Sequence, residues 1–154
     1  MLVPPHIHYP DDRRDAAAAG PAMAALFAQL ARVVDGIRAK GLKLHLIAHS
    51  MGNWALRHGL LAYGPPAGSD PLFDEALLAA ADEDADALID PGKLAALPRL
   101  AKRITVQVND GDVVLLLAMG LTGKRRLGLA WPTELAAVAG RDDAAIRVSP
   151  AIVG

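Results

Sequence analysis

Residues 43–54 read Lys43-Leu44-His45-Leu46-Ile47-Ala48-His49-Ser50-Met51-Gly52-Asn53-Trp54. An apolar strand over 43–49 runs straight into His49-Ser50-Met51-Gly52, and a helical pattern starts at Met51 and continues to about Leu61. This is the layout of a nucleophile elbow, in which a serine sits on a sharp strand-to-helix turn at the top of a sheet. Such a turn is expected to be strained and crowded, so the positions two before and two after the serine should be small. Ala48 and Gly52 meet that demand. The helix points its N-terminus at Ser50, where free N–H groups and the helix dipole stabilise negative charge developing beside the serine oxygen. The competing reading is an ordinary strand-turn-helix with a chance serine. The strand, the small residues and the helix together favour the elbow.

Outward from this stretch the chain alternates helix and strand. Between Pro21 and about Ala39, residues Met23, Leu26, Phe27, Leu30, Val33, Val34 and Ile37 recur at spacings of three and four, which predicts one face of a helix. Pro21 suits its first turn and Gly41 its stop. A Gly/Pro loop follows the second helix from Tyr63 to Pro71. Glu75 to Ala81 reads as a buried strand, Lys93 to Ala101 as a short helix, and Arg103 to Asn109 as a strand. Val113 to Met119 is a helix or a buried apolar segment. Residues 120–144 are loop-rich, with a turn of helix around Glu134 to Val138, and Ala145 to Val148 is a last strand. The expected class is α/β, a parallel sheet of about four strands with helices on both faces. No repeat or linker divides residues 1–154, so one domain is expected.

Composition narrows the function classes. The chain has 154 residues, enough for a sizeable core, and is 53% hydrophobic with 4% aromatic residues. Its net charge is −1 and it has no extended basic face, which argues against nucleic acid as a partner. It contains no cysteine, which excludes disulfides and thiolate metal sites and leaves the compartment open. The first ten residues, Met1 to Pro10, have neither a charged start nor a long apolar core, so they do not read as a signal peptide. No apolar run reads as long enough to span a bilayer. A cytoplasmic location is the expectation.

At Leu46-Ile47-Ala48-His49-Ser50-Met51-Gly52-Asn53 the sequence resembles the alpha/beta-hydrolase superfamily, and within it an uncharacterised lipase-like bacterial branch. Tyr9 to Ala16, with Asp12 and Arg13, resembles the segment leading into the helix before the elbow. Residues 75–84 resemble the branch's next strand and its Asp-x-Asp ending, with Ala81 where the branch usually has proline. Arg103-Ile104-Thr105-Val106 through Gly111-Asp112-Val113-Val114-Leu115 resembles the strand and loop that present the catalytic acid. Arg126-Leu127-Gly128 resembles the close of the following loop. The likeness runs from Tyr9 to about Val148.

The resemblance implies a serine esterase of lipase-like type working through an acyl-enzyme, with no cofactor. The parts are a serine, an acid and a histidine in that chain order, and an oxyanion hole. Ser50 takes the first role, and the N–H of Met51 is one oxyanion donor. Asp112 takes the acid role, with Asp110 the near alternative and Asp82 a weaker one. The Asn109-Asp110-Gly111-Asp112 run is also ordinary turn chemistry. The histidines are His6, His8, His45, His49 and His58, and none follows Asp112. His49 adjoins Ser50, but successive strand residues point to opposite faces. The branch places its base soon after a strand resembling Ile146-Arg147-Val148-Ser149. The chain therefore resembles the C-terminal portion of such a hydrolase, without its histidine tail and without its early strands. Two readings follow: an esterase impaired for lack of a base, acting on small-molecule esters, or a non-catalytic hydrolase-like module that works by binding or assembly. An exposed sheet edge, and self-association through it, is expected where earlier strands would pair.

The remaining motifs read as structure. His6-x-His8 with Asp11 and Asp12 offers too few ligands for a metal site, and no metal is expected. Gly120-Leu121-Thr122-Gly123-Lys124 lacks the spacing and the leading strand of a phosphate loop. Lys124-Arg125-Arg126 reads as solvated surface. Asp82 to Asp86 lacks the glycine and closing glutamate of a calcium loop and reads as a solvated strand end.

Overall fold

The computed structural model describes residues 8–129 and the backbone of 146–150. Four strands, β1 (His45–His49), β2 (Glu75–Ala79), β3 (Ile104–Val108) and β4 (Ile146–Pro150), form one sheet in the order β1-β2-β3-β4. All three pairings are parallel, with Ala48 opposite Leu78 and Leu78 opposite Val106. The helices are α1 (Tyr9–Ala18), α2 (Gly20–Ala39), α3 (Gly52–Tyr63) and α4 (Val113–Thr122). β1, β2 and β3 lie within the segments whose pattern predicts them, and β4 overlaps the predicted Ala145 to Val148 but runs on to Pro150. The expected turn of helix at Glu134 to Val138 lies outside the described residues.

The two-residue period of a strand sorts the sheet into two faces. Ala48, Ala76, Leu78, Ile104 and Val106 point to one face and are buried. Phe27 and Val34 of α2 and Leu56 and Leu60 of α3 close over them in a single core. Phe27 meets both Tyr63 and Phe73 edge to face, with centroids 5.7 and 6.0 Å apart. Each of these large side chains contributes roughly 1.5–3 kcal/mol by leaving water. The α2–α3 contact is close because Gly59 has no side chain; a Cβ there would lie 2.6 Å from Met23 Sδ. On the opposite face, at the edge strand β1, Ile47 is 70% exposed.

Three sequence expectations change. Tyr9–Ala18 is a helix of its own, started by Pro10 and by Asp11 and Asp12 in its first turn. The helix expected over Lys93 to Ala101 is a string of turns with one 3₁₀ turn at Leu97–Arg99. Pro98 denies the segment an interior N–H, and burial of Leu94, Leu97 and Leu100 holds it down instead. Val113–Thr122 is a helix, but only Leu115 and Ala118 of it are buried; Val113 and Val114 are 75% and 67% exposed. Tyr9–Ala39 is by length and composition apolar enough to cross a membrane, although its α2 half supplies Phe27 and Val34 to the core.

Candidate active site

Ser50 lies between the end of β1 and the start of α3, with a φ of 49°. A side chain at positive φ is strained by roughly 1–3 kcal/mol, so surrounding bonds must hold it there. The Ser50 N–H donates to the Ala79 carbonyl at 3.0 Å, which extends the β1–β2 pairing by one step. The Ser50 carbonyl accepts from Asp82 N at 3.3 Å and from Asn53 N at 3.1 Å. Buried Asn53 adds its side chain, with Nδ2 donating to the Ala48 and Ser50 carbonyls at 3.2 and 3.0 Å. Asn53 thus clamps both sides of the turn. Its residue type is the available signal for that role, and sequence reasoning assigned it none.

The reason given for Gly52 changes. A Cβ at that position would meet nothing within 4 Å among the described residues, so crowding there does not require glycine. Ala48, by contrast, is buried in the core. The Met51 N–H has no acceptor among the described residues. It heads α3, where a helix N-terminus leaves donors free for an anion.

Ser50 and Met51 line a cavity of about 470 Å³ together with Tyr9, Asp82, Val114 and Leu117. Ala118 and Leu121 complete its apolar side. That side is α4, whose exposed leucines and valines face the space above the serine turn.

Asp112 is the N-cap of α4. Its Oδ1 accepts from Val114 N at 3.0 Å and Leu115 N at 3.1 Å. It does not line the Ser50 cavity, though Val114, two residues on, does. Asp110 is exposed in the turn beside it, where Asn109 Oδ1 accepts from Gly111 N at 3.0 Å. Asp12 and Asp82 are the carboxylates that line the cavity, and Asp82 is already engaged. Its Oδ1 accepts from the Tyr9 hydroxyl at 3.0 Å and stands 3.4 Å from Arg126 Nη1. Burial, with the Asp82 charge and hydrogen bond, pushes Tyr9 up to about 12.

The acidic run from Asp82 is not a solvated strand end. Asp82, Glu83 and Asp84 are all buried, and Arg126 from the supposed surface cluster is buried among them. Arg126 Nη2 meets Asp84 Oδ1 at 2.5 Å, while Lys93 and Lys124 reach Asp84 Oδ2 at 3.1 and 3.2 Å. Burial alone would raise Asp84, yet the Lys93 and Lys124 hydrogen bonds and the Arg126 charge hold it down at about 2. Glu83 has Arg57 as its one ion-pair partner among the described residues, at 3.5 Å, and accepts from Asp84 N at 3.3 Å, and burial pushes it up to about 7. The turn that starts this run is Ala80, the other non-glycine residue at positive φ among the described residues, at 42°. Beyond it Leu127 N donates to the Glu83 carbonyl and Gly128 N to the Ala81 carbonyl. A Cβ on Gly128 would lie 2.4 Å from Ala81 N, which explains the glycine closing Arg126-Leu127-Gly128.

No histidine joins Ser50 among the described residues. His45 and His49 are exposed on β1. His58, on α3, packs edge to face on Trp54 with centroids 5.3 Å apart. Burial, then Arg57 and Arg13, push its pKa below the ordinary value, so it is neutral at pH 7. His8 Nδ1 stands 3.6 Å from Asp11 on exposed α1, and His6 lies outside the described residues. The Ser50 hydroxyl has no side-chain partner among the described residues.

No curated protein and no solved structure matches the chain. One family model does, over residues 5–150, and its description is an alpha/beta hydrolase of unknown function, DUF900. The match spans nearly the whole chain and agrees with the parallel sheet and its helices; the chain belongs to this alpha/beta-hydrolase family.

Proposed function

We propose that the chain carries a serine-hydrolase site for carboxylic esters with apolar acyl chains. The observation that carries this reading is the left-handed Ser50 at the head of α3, beside an unbonded Met51 N–H and an apolar cavity under α4. Ser50 Oγ would attack the ester carbonyl and lose its proton. The Met51 N–H would stabilise the resulting oxyanion, the alcohol would leave, and water would release the acyl group. Val114, Leu117 and Leu121 would hold the acyl chain. Asp112 is the proposed acid: Oδ2 is not used in its cap, so it could orient a base.

Within residues 1–154 all five histidines precede Asp112, so none of them stands where the order serine, acid, histidine places the base. The Ser50 proton then passes to water, and the rate falls by several orders of magnitude while binding and oxyanion stabilisation persist. The same observation favours a second reading, a non-catalytic module that keeps the apolar cavity for binding. Turnover of nitrophenyl esters of rising chain length separates them. The hydrolase reading expects slow turnover that improves with chain length, disappears in Ser50→Ala and loses its chain-length preference in Leu117→Asp. Turnover unchanged in Ser50→Ala, with binding of the alkyl chain retained, would favour the module.

A further inference from the structure

Beside the Ser50 cavity lies a second one of about 420 Å³, lined by Arg13, Trp54, Arg57, Lys93, Thr122 and Lys124, with Asp84 as its one carboxylate. The two spaces share walls: α1 gives Tyr9 and Asp12 to the first and Arg13 to the second, and Leu121 and Thr122 divide in the same way. Trp54 holds both guanidiniums, with Arg13 Cζ 3.5 Å and Arg57 Cζ 4.5 Å from its ring centroid. A guanidinium stacked on an indole keeps its plane and its donors fixed.

On the cavity's lining Arg13, Arg57, Lys93 and Lys124 face one carboxylate, Asp84, while Lys93 also pairs with Asp86 and Asp90 outside it. Asp84 is shared among Lys93, Lys124 and Arg126. Among the described residues Arg57 has only Glu83, at 3.5 Å and without a hydrogen bond, and burial pushes Glu83 up to about 7, which weakens it as a counter-charge. Arg13 has no carboxylate within 4 Å among the described residues. The donors are unsatisfied as well: Arg13 Nε, Arg57 Nε and Trp54 Nε1 are buried without a hydrogen-bond partner among the described residues. Buried donors are nearly always paired, so three at one cavity point to an acceptor-rich ligand.

We propose that this cavity binds a phosphate group, held by the Arg13 and Arg57 guanidiniums over Trp54. A phosphate supplies the two negative charges that these guanidiniums lack and accepts the paired N–H bonds of an arginine fork. Lys124 adds positive charge at the wall, whereas Lys93 is already paired with Asp84, Asp86 and Asp90. The site is independent of whether Ser50 is a nucleophile, and its test reads binding alone.

The probe is inorganic phosphate, titrated into the full chain at constant ionic strength. A Trp131→Phe background leaves Trp54 as the sole indole, since the chain has two tryptophans. Binding is expected to change Trp54 fluorescence saturably at millimolar phosphate and to raise the melting temperature. Arg13→Gln, on the exposed helix α1, should weaken binding about tenfold or more, and Arg57→Gln likewise. Arg32→Gln, exposed on α2, should leave it unchanged. Phenyl phosphate binding more tightly than inorganic phosphate would identify an esterified phosphate as the natural group; equal binding would identify the free anion. No saturable change beyond that of sodium chloride, or the same response in Arg13→Gln with its helical spectrum intact, would overturn the proposal.

Discussion

Asn53 Nδ2 donates to the carbonyl of Ser50 at 3.0 Å, from three residues into the turn that Ser50 makes. The same amide reaches Ala48 on the strand side, so one buried side chain ties the strand end to the helix start across a strained residue. Removing it leaves two carbonyls with one partner fewer and a cavity where the amide was. Asn53→Ala is expected to cost about 1–3 kcal/mol in urea unfolding. It should also slow any reaction of Ser50, because the positive φ is no longer held. Unchanged stability would show that the turn does not depend on this clamp.

Glu83 gives the fold a slope in pH. Its folded pKa, about 7, lies above the ordinary 4.5 because burial disfavours the charged form. Between these values the folded state holds a proton that the unfolded state has lost, so stability falls as pH rises from about 4.5 to 7. The loss is on the order of 3 kcal/mol. Asp84 acts oppositely: its stabilisation is present above its ordinary 3.8 and disappears as pH falls toward 2. Urea unfolding should therefore find greatest stability near pH 4–5, and Glu83→Gln should flatten the fall above it. A wild-type curve flat from pH 5 to 8 would contradict the buried placement of Glu83.

Gly128 packs its Cα against the backbone of Ala80 and Ala81. Gly128→Ala would put a methyl 2.4 Å from Ala81 N, with no flexible side chain to yield at that contact. A destabilisation of roughly 1–3 kcal/mol is expected, with loss of the Leu127–Glu83 and Gly128–Ala81 bonds visible as faster amide exchange. Protection unchanged at both amides would show that the segment can shift.

The edge strand β1 presents Ile47, 70% exposed, beside a row of backbone groups on its open side. Such an edge is a template for pairing. Sedimentation at rising concentration is expected to show self-association, and Ile47→Lys should return the chain to monomer. A monomer at all concentrations would remove the edge as an interface.

The strands were legible because each is a short apolar run, and parallel pairing follows from helices between them. Ser50 was legible because its neighbours specify a turn as well as a serine. Asp82, Glu83, Asp84 and Arg126 were misread as surface because charge predicts exposure one residue at a time, and burial here depends on partners some forty positions apart. Pro98 could have argued against the helix at 93–101. Trp54 as a shared seat for Arg13 and Arg57 had no sequence signal, since α1 and α3 meet only through the tertiary fold. The role of Gly128 was visible only as resemblance until the Ala81 backbone was found against it.

The central claim is that Ser50 is a nucleophile with no histidine beside it among the described residues, and covalent labelling with an alkyl fluorophosphonate read by intact mass tests it most directly. The account predicts a single slow adduct, mapped to Ser50, absent from Ser50→Ala, and formed faster when imidazole is added to take the proton. An adduct that persists in Ser50→Ala, or no adduct at any imidazole concentration, would contradict it.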